Sequence, residues 1–225
     1  MKEAISSVDS MKISISAARL SLAASLAALV SLAGLHILSP EFDPSRRVVS
    51  EYAFGHYGWV LSLMFFTWGL SSWTLAFAIR SQARTLGGKI GLVFLVAAGI
   101  GEAMASVFDV RRPELHGLAG AIGVPSLPIA AILISVSLGR MQAWSSRKTV
   151  LLWTANLTWM SLALMIAGML TLTHKIGGLR VPIGWPNRLL IAIYSAWVMI
   201  VAWQAIRLKG EHILHPKSAA VDYVQ

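Results

Sequence analysis

The sequence predicts an all-α integral membrane protein: a six-transmembrane-helix bundle with a short interfacial helix in the first outer loop. Three observations carry this. The 225 residues are 56% hydrophobic and only 13% charged, which is more apolar surface than one soluble core of this length can hide. Six apolar runs approach the roughly 20 residues that a hydrocarbon layer about 30 Å thick requires. The basic residues fall between those runs and sort unequally onto two sides, as they do in polytopic membrane proteins.

The runs are Leu20 to Pro40, Tyr57 to Ile79, Ile90 to Val110, Gly117 to Leu138, Val150 to Thr173 and Leu189 to Ile206. The first follows Lys2, Lys12 and Arg19, as a secretory signal would. A signal's apolar stretch is only about 7 to 15 residues, whereas this run is longer and ends in His36-Ile37-Leu38, so it reads as a retained helix. The connections are short, which predicts one membrane domain over residues 14–207 between cytoplasmic tails at 1–13 and 208–225. With no Cys in the chain, disulfide and thiolate chemistry are excluded.

A net charge of +9 raises the question of nucleic acid, but the basic residues sit at helix ends and form no soluble face. Alternating the connections puts twelve of the nineteen Lys and Arg on one side, among them Arg80, Arg84, Lys89, Arg140, Arg147 and Lys148. That side is expected to be cytoplasmic, with both termini. Membrane lipid is then the expected partner, and oligomeric state is not legible.

In the first outer loop Asp43-Pro44 places an N-cap residue before a proline suited to the first helical position. A helix from Pro44 to Phe54 would put Val48, Val49, Tyr52 and Ala53 on one side and Arg46, Arg47, Ser50 and Glu51 on the other, as an interfacial helix requires. Asp43, Arg47 and Glu51 would follow one another at i, i+4 and i+8, so ion pairs along that helix account for them without any ligand.

Titratable groups gather toward the same face: His36, His56, His116 and His174 with Glu41, Asp43, Glu51, Asp109 and Glu114. Short loops leave polar residues few other places, which is the plain structural reading. Glu102 is different, because it lies within the third run, where a charged carboxylate costs about 2.5 to 3.5 kcal/mol. It must face the bundle interior, against a polar partner such as Asn156, Thr67 or Ser71, or in a proton-accessible site. Glu102, Ser106 and Asp109 lie on one helical stripe. The fourth run opens His116-Gly117 and continues through Gly120 and Gly123 to Pro125 and Pro128. The glycines suit close helix packing. The prolines displace the carbonyls of Ala121 and Val124, which then need other partners. Trp59, Trp73, Trp185 and Tyr57 read as anchors at the membrane interface.

Residues Ser39-Pro40-Glu41-Phe42-Asp43-Pro44 and Val49-Ser50-Glu51-Tyr52-Ala53-Phe54-Gly55, with Phe108-Asp109, His116-Gly117 and Asn187-Arg188, make the chain resemble the bacterial membrane family catalogued as domain of unknown function 998. The resemblance covers roughly residues 15–207, and its most specific piece is the Asp-Pro to Ser-Glu to Gly segment. It implies about six helices and an extracytoplasmic polar site, with no established reaction. A second His often follows the His-Gly position by four residues in that pattern. Gly120 stands there in this chain, which weakens a metal site carried over from the family.

Three functions fit. One is a non-catalytic membrane component, whether sensor, assembly partner or lipid-binding protein, in which Ser50, Glu51, Asp109, His116 and Arg188 form a structural hydrogen-bond network, with Asp43, Arg47 and Arg188 as candidate structural residues. A second is an intramembrane hydrolase or transferase acting on lipid headgroups, with Asp109, His116, Glu102, Ser50 and Glu51 as candidate catalytic groups and His36, Asp109, His116 and His174 as candidate zinc ligands. The third is a small proton-linked transporter built on Glu102. Whether the chain is an enzyme is not decided by sequence. Haem is disfavoured, since no two of the four outer His share a helix at i, i+4.

Overall fold

The computed structural model describes residues 2–174 and 182–214, with side chains over 11–170 and 182–208. Six helices account for most of them: α1 Lys2–Leu38, α2 Gly58–Ile79, α3 Leu86–Val107, α4 Pro113–Leu138, α5 Lys148–His174 and α6 Gly184–Leu214. Each contains a stretch long and apolar enough to cross a membrane. The chain is a six-span membrane protein.

Short connections make successive helices antiparallel neighbours. Each packs on the next, and α6 returns to pack on α1 and α2, closing a ring. Small residues make the contacts: Ser21 Oγ on α1 donates to the Ser71 carbonyl of α2 at 2.8 Å, and Ser25 Oγ donates to Ser195 of α6 at 3.4 Å. With lipid outside there is no hydrophobic drive between helices, and close backbone approach with interhelical hydrogen bonds replaces it. The outward faces are correspondingly apolar, with Val30, Val93, Trp153 and Met160 all more than 60% exposed.

The two ends differ. At one, residues 39–57 between α1 and α2 fold over the bundle as a cap. At the other, a 3-10 turn over Gln142–Arg147 carries Trp144 into full burial, where its indole N–H donates to Gln82 Oε1 at 2.7 Å. Between Trp144 and the middle of the bundle, Leu75, Ile79, Leu95, Leu127, Ile134, Leu138 and Trp197 fill the interior and are fully buried. The centre of that half is packed mainly with apolar side chains.

The cap differs from the single helix expected over Pro44 to Phe54. The Asp43 carbonyl accepts from Arg46 N and Arg47 N at 3.2 and 2.9 Å, closing one turn; the chain then extends at Val48 and resumes as a 3-10 helix over Val49–Phe54. The interruption has a tertiary cause, because α6 captures the backbone there. Asn187 Oδ1 accepts from Val49 N at 2.7 Å, and Arg188 Nη1 donates to the Arg47 carbonyl at 2.7 Å. Those groups are withdrawn from a continuous helix. The amphipathic sorting survives: Val49, Tyr52 and Ala53 are buried while Arg46 and Arg47 are exposed.

Pro128 in α4 acts as its chemistry requires. The Val124 carbonyl, four residues before Pro128, accepts a hydrogen bond from the Tyr194 hydroxyl of α6 at 2.9 Å.

Candidate functional site

The polar residues near the cap sort into three groups, set by which element each one faces. The first is a clamp around Arg188. Its guanidinium is buried and donates from Nε to His36 Nε2 at 2.7 Å, from Nη1 to the carbonyls of Arg47 (2.7 Å) and Gly184 (3.1 Å), and from Nη2 to the Tyr52 hydroxyl (3.1 Å). His36 Nδ1 lies 2.6 Å from the Leu32 carbonyl. A carbonyl only accepts, so Nδ1 carries the ring proton and Nε2 offers its lone pair to Arg188. Tyr52 packs its ring on Phe42, with centroids 5.2 Å apart. Gly184 lies against the backbone of Pro44, Ser45 and Arg47, where a side chain would not fit, and its N–H donates to the Ser45 carbonyl at 3.0 Å.

Glu51 belongs to the clamp. It accepts from Val48 N and from Arg47 Nη1, both at 3.0 Å. Asp43 accepts instead from Ser45 N and Oγ at 2.9 and 2.7 Å, bonds that hold its carboxyl below the usual carboxylate range, and it lies 3.5 Å from Arg46. The expected ladder of Asp43, Arg47 and Glu51 is therefore made in its second rung only.

The second group is a surface turn between α3 and α4. Arg111 folds back on Asp109, with Nε 3.0 Å from both carboxylate oxygens, Nη2 on Oδ2 and the backbone N–H 2.9 Å from Oδ1. These bonds keep the Asp109 carboxyl below the usual carboxylate range. Ser106 Oγ donates to the Ala103 carbonyl at 2.6 Å. The stripe of Glu102, Ser106 and Asp109 is thus divided among three different partners.

The third group lines a cavity of about 430 Å³ beneath the cap, between α2, α3, α4, α5 and α6, within the range of about 300 to 1,000 Å³ typical of ligand pockets. Apolar walls come from Phe65, Ala105, Leu162, Met165, Leu190 and Ile191. Polar groups come from Ser50, Trp68, Glu102, His116, Asn187 and Tyr194. Glu102 is buried, and its partner is the Ser72 hydroxyl, which donates to Oε2 at 2.9 Å. Of the partners expected for it, Thr67 and Ser71 bond carbonyls of their own helix, and Asn156 is exposed and bonds Leu152. His116 Nδ1 lies 2.9 Å from the Phe108 carbonyl, so Nδ1 carries a proton. The indole N–H of Trp68 is buried and has no hydrogen-bond partner among the described residues.

Glycines shape this cavity in two ways. Gly101 and Gly123 bring α3 and α4 into backbone contact next to Glu102, and a Cβ on Gly101 would overlap the N and Cα of Gly123. Gly117 and Gly120, expected in the same contact, face open space instead, with nothing within 4 Å of a Cβ, and both line the cavity. The mouth lies between α4 and α5, where Gly117, Ala121, Ile166 and Met169 are at once cavity-lining and exposed. Trp59 and Trp185 are exposed at helix starts as interface anchors would be, whereas Trp73 bonds the Val96 carbonyl at 3.1 Å beside Gly99.

Of the candidate zinc ligands, His36 is spent on Arg188 and Asp109 on Arg111, His116 lines the cavity, and the His174 side chain lies outside the described ones. Among the described residues no three His, Asp or Glu gather to hold a metal. Sequence reasoning passed over Ser72, Trp68, Asn187 and Tyr194 as partners. Two signals were present: Trp68 lies too far from a helix end to be an interface anchor, and the Val124 carbonyl freed by Pro128 called for a hydroxyl.

No curated protein and no solved structure matches the chain. The model of the family described as "Protein of unknown function (DUF998)" does match, over residues 22–204, a span that takes in the cap, the cavity and part of every helix; the chain belongs to that family.

Proposed function

We propose that this protein is a non-catalytic membrane component that binds an amphiphilic lipid in the cavity beneath its cap, with the cap on the extracytoplasmic side. The observation that supports it most directly is a cavity of about 430 Å³ with apolar walls that also holds Glu102, His116 and Tyr194. A mouth bordered by Ile166 and Met169 suits entry of a chain from the lipid layer. A channel or carrier would need a second opening on this cavity, and the fully buried Leu75, Leu95, Leu127 and Ile134 toward the other end argue against one. Catalysis on a lipid headgroup is the second reading, favoured by Ser50, Glu102 and His116 sharing this cavity.

Filling the cavity tests the proposal. Gly120→Leu adds a side chain into open space on a helix, where Leu is favoured over Gly by about 0.8 kcal/mol, so the variant is expected to keep or slightly raise Tm. Native mass spectrometry of wild-type protein from mild detergent should show a retained amphiphile, and Gly120→Leu should lose it. Equal adducts on both proteins, or none on wild type, would sink the reading. Appearance of cleaved lipid on incubation, lost in His116→Gln, would favour the catalytic alternative.

The orientation is tested separately. Reporters fused after residue 46 should read outside the cytoplasm and those after residue 144 inside it. A reversed pattern overturns the placement of the cap.

A further inference from the structure

Resting on that reading, we infer that the cavity selects a cationic amphiphile, one whose head is an amine or quaternary ammonium, over neutral or anionic ones. The charge content of the lining is the first ground. Among the described residues that line it, Glu102 is the one carboxylate and none is Lys or Arg. The buried cation nearest in the fold, Arg188, is committed to the Arg47 and Gly184 carbonyls, His36 and Tyr52. A phosphate or carboxylate head would therefore be buried beside Glu102 with no countercharge, and an unpaired buried charge is strongly disfavoured. A cationic head instead brings the countercharge that ionisation of the buried Glu102 requires.

The aromatic wall is the second ground. Phe65, Trp68 and Tyr194 line the cavity and run in series, with ring centroids 6.3 Å apart from Phe65 to Trp68 and again from Trp68 to Tyr194. Aromatic clusters attract ammonium groups through the ring quadrupole, more strongly when the cation is desolvated. Ser72 occupies Oε2 of Glu102 and comes from the helix side, which leaves Oε1 for a donor in the cavity.

The test compares three probes of one chain length: dodecyltrimethylammonium, dodecanol and dodecyl phosphate. Each is titrated at equal mole fraction into purified wild-type protein in an uncharged detergent and read by thermal shift. The ammonium probe is expected to bind about tenfold or more tightly than the alcohol, a difference near 1.4 kcal/mol, and the phosphate probe weakest. In Glu102→Gln the ammonium preference should fall to within about twofold, while Ser72→Ala, which keeps the carboxylate, should retain it; Gly120→Leu should lose all three probes. If the three bind wild type equally and Gly120→Leu abolishes them all, the amphiphile cavity stands and the charge selection is wrong. A preference for the phosphate probe, or an ammonium preference that survives in folded Glu102→Gln, overturns the inference as well. Should no probe bind wild type, both readings fall.

Discussion

Replacing Arg188 with leucine is expected to destabilise the protein by about 3 to 5 kcal/mol, because one guanidinium makes four hydrogen bonds and those made by charged groups contribute about 1.5 to 3 kcal/mol each. The sum is not reached, since groups in one network do not add. The Arg47 and Gly184 carbonyls, His36 and the Tyr52 hydroxyl would all lose their donor. At about 2 to 4 °C per kcal/mol for a chain of this length, the midpoint in detergent should fall by about 10 °C. Because these bonds tie the cap to α6, the first region to open should be residues 43–54, read by hydrogen exchange. His36→Phe removes one acceptor and should cost less, about 1.5 to 3 kcal/mol. A change under about 1 kcal/mol for Arg188→Leu would mean that the clamp does not hold the cap.

Gly101→Ala is expected to rank next, at the upper end of the roughly 1 to 3 kcal/mol that overpacking costs. The added methyl meets the backbone of Gly123 and the Ala119 carbonyl, which no rotamer change can move. The helices α3 and α4 would have to separate beside Glu102. Gly117→Ala, two turns from the contact along α4, meets nothing within 4 Å, and should stabilise by up to about 1 kcal/mol through helix propensity alone. The opposite signs separate a packing glycine from a cavity glycine. Equal destabilisation by both, measured by thermal unfolding in the same detergent, would show that α4 packs through Gly117 as well.

Glu102 was legible as an interior residue because its cost in lipid depends on chemistry and depth, both of which a linear sequence carries. Its partner was not, because Ser71 and Ser72 differ by 100° around α2, and only the rotation of that helix against α3 puts Ser72 on the carboxylate. Pro128 announced that the Val124 carbonyl needed a donor, yet the donor comes from Tyr194, 70 residues away. His36, Asp109 and His116 all ranked as candidates by residue type and end of the bundle. Arg188 then claimed the first, Arg111 the second and the cavity the third, through contacts that no local pattern encodes.

By itself the sequence determined that the chain spans the membrane six times, which segments do so and which end collects the polar residues, because hydropathy, charge asymmetry and helix length act locally and add along the chain. Only the tertiary structure decided that the cap breaks into a turn and a 3-10 helix, that the most specific motif is a clamp on α6, and that Gly117 and Gly120 open a cavity while Gly101 and Gly123 close a contact. Those outcomes depend on the rotation and splay of helices distant in sequence, set by where two backbones meet.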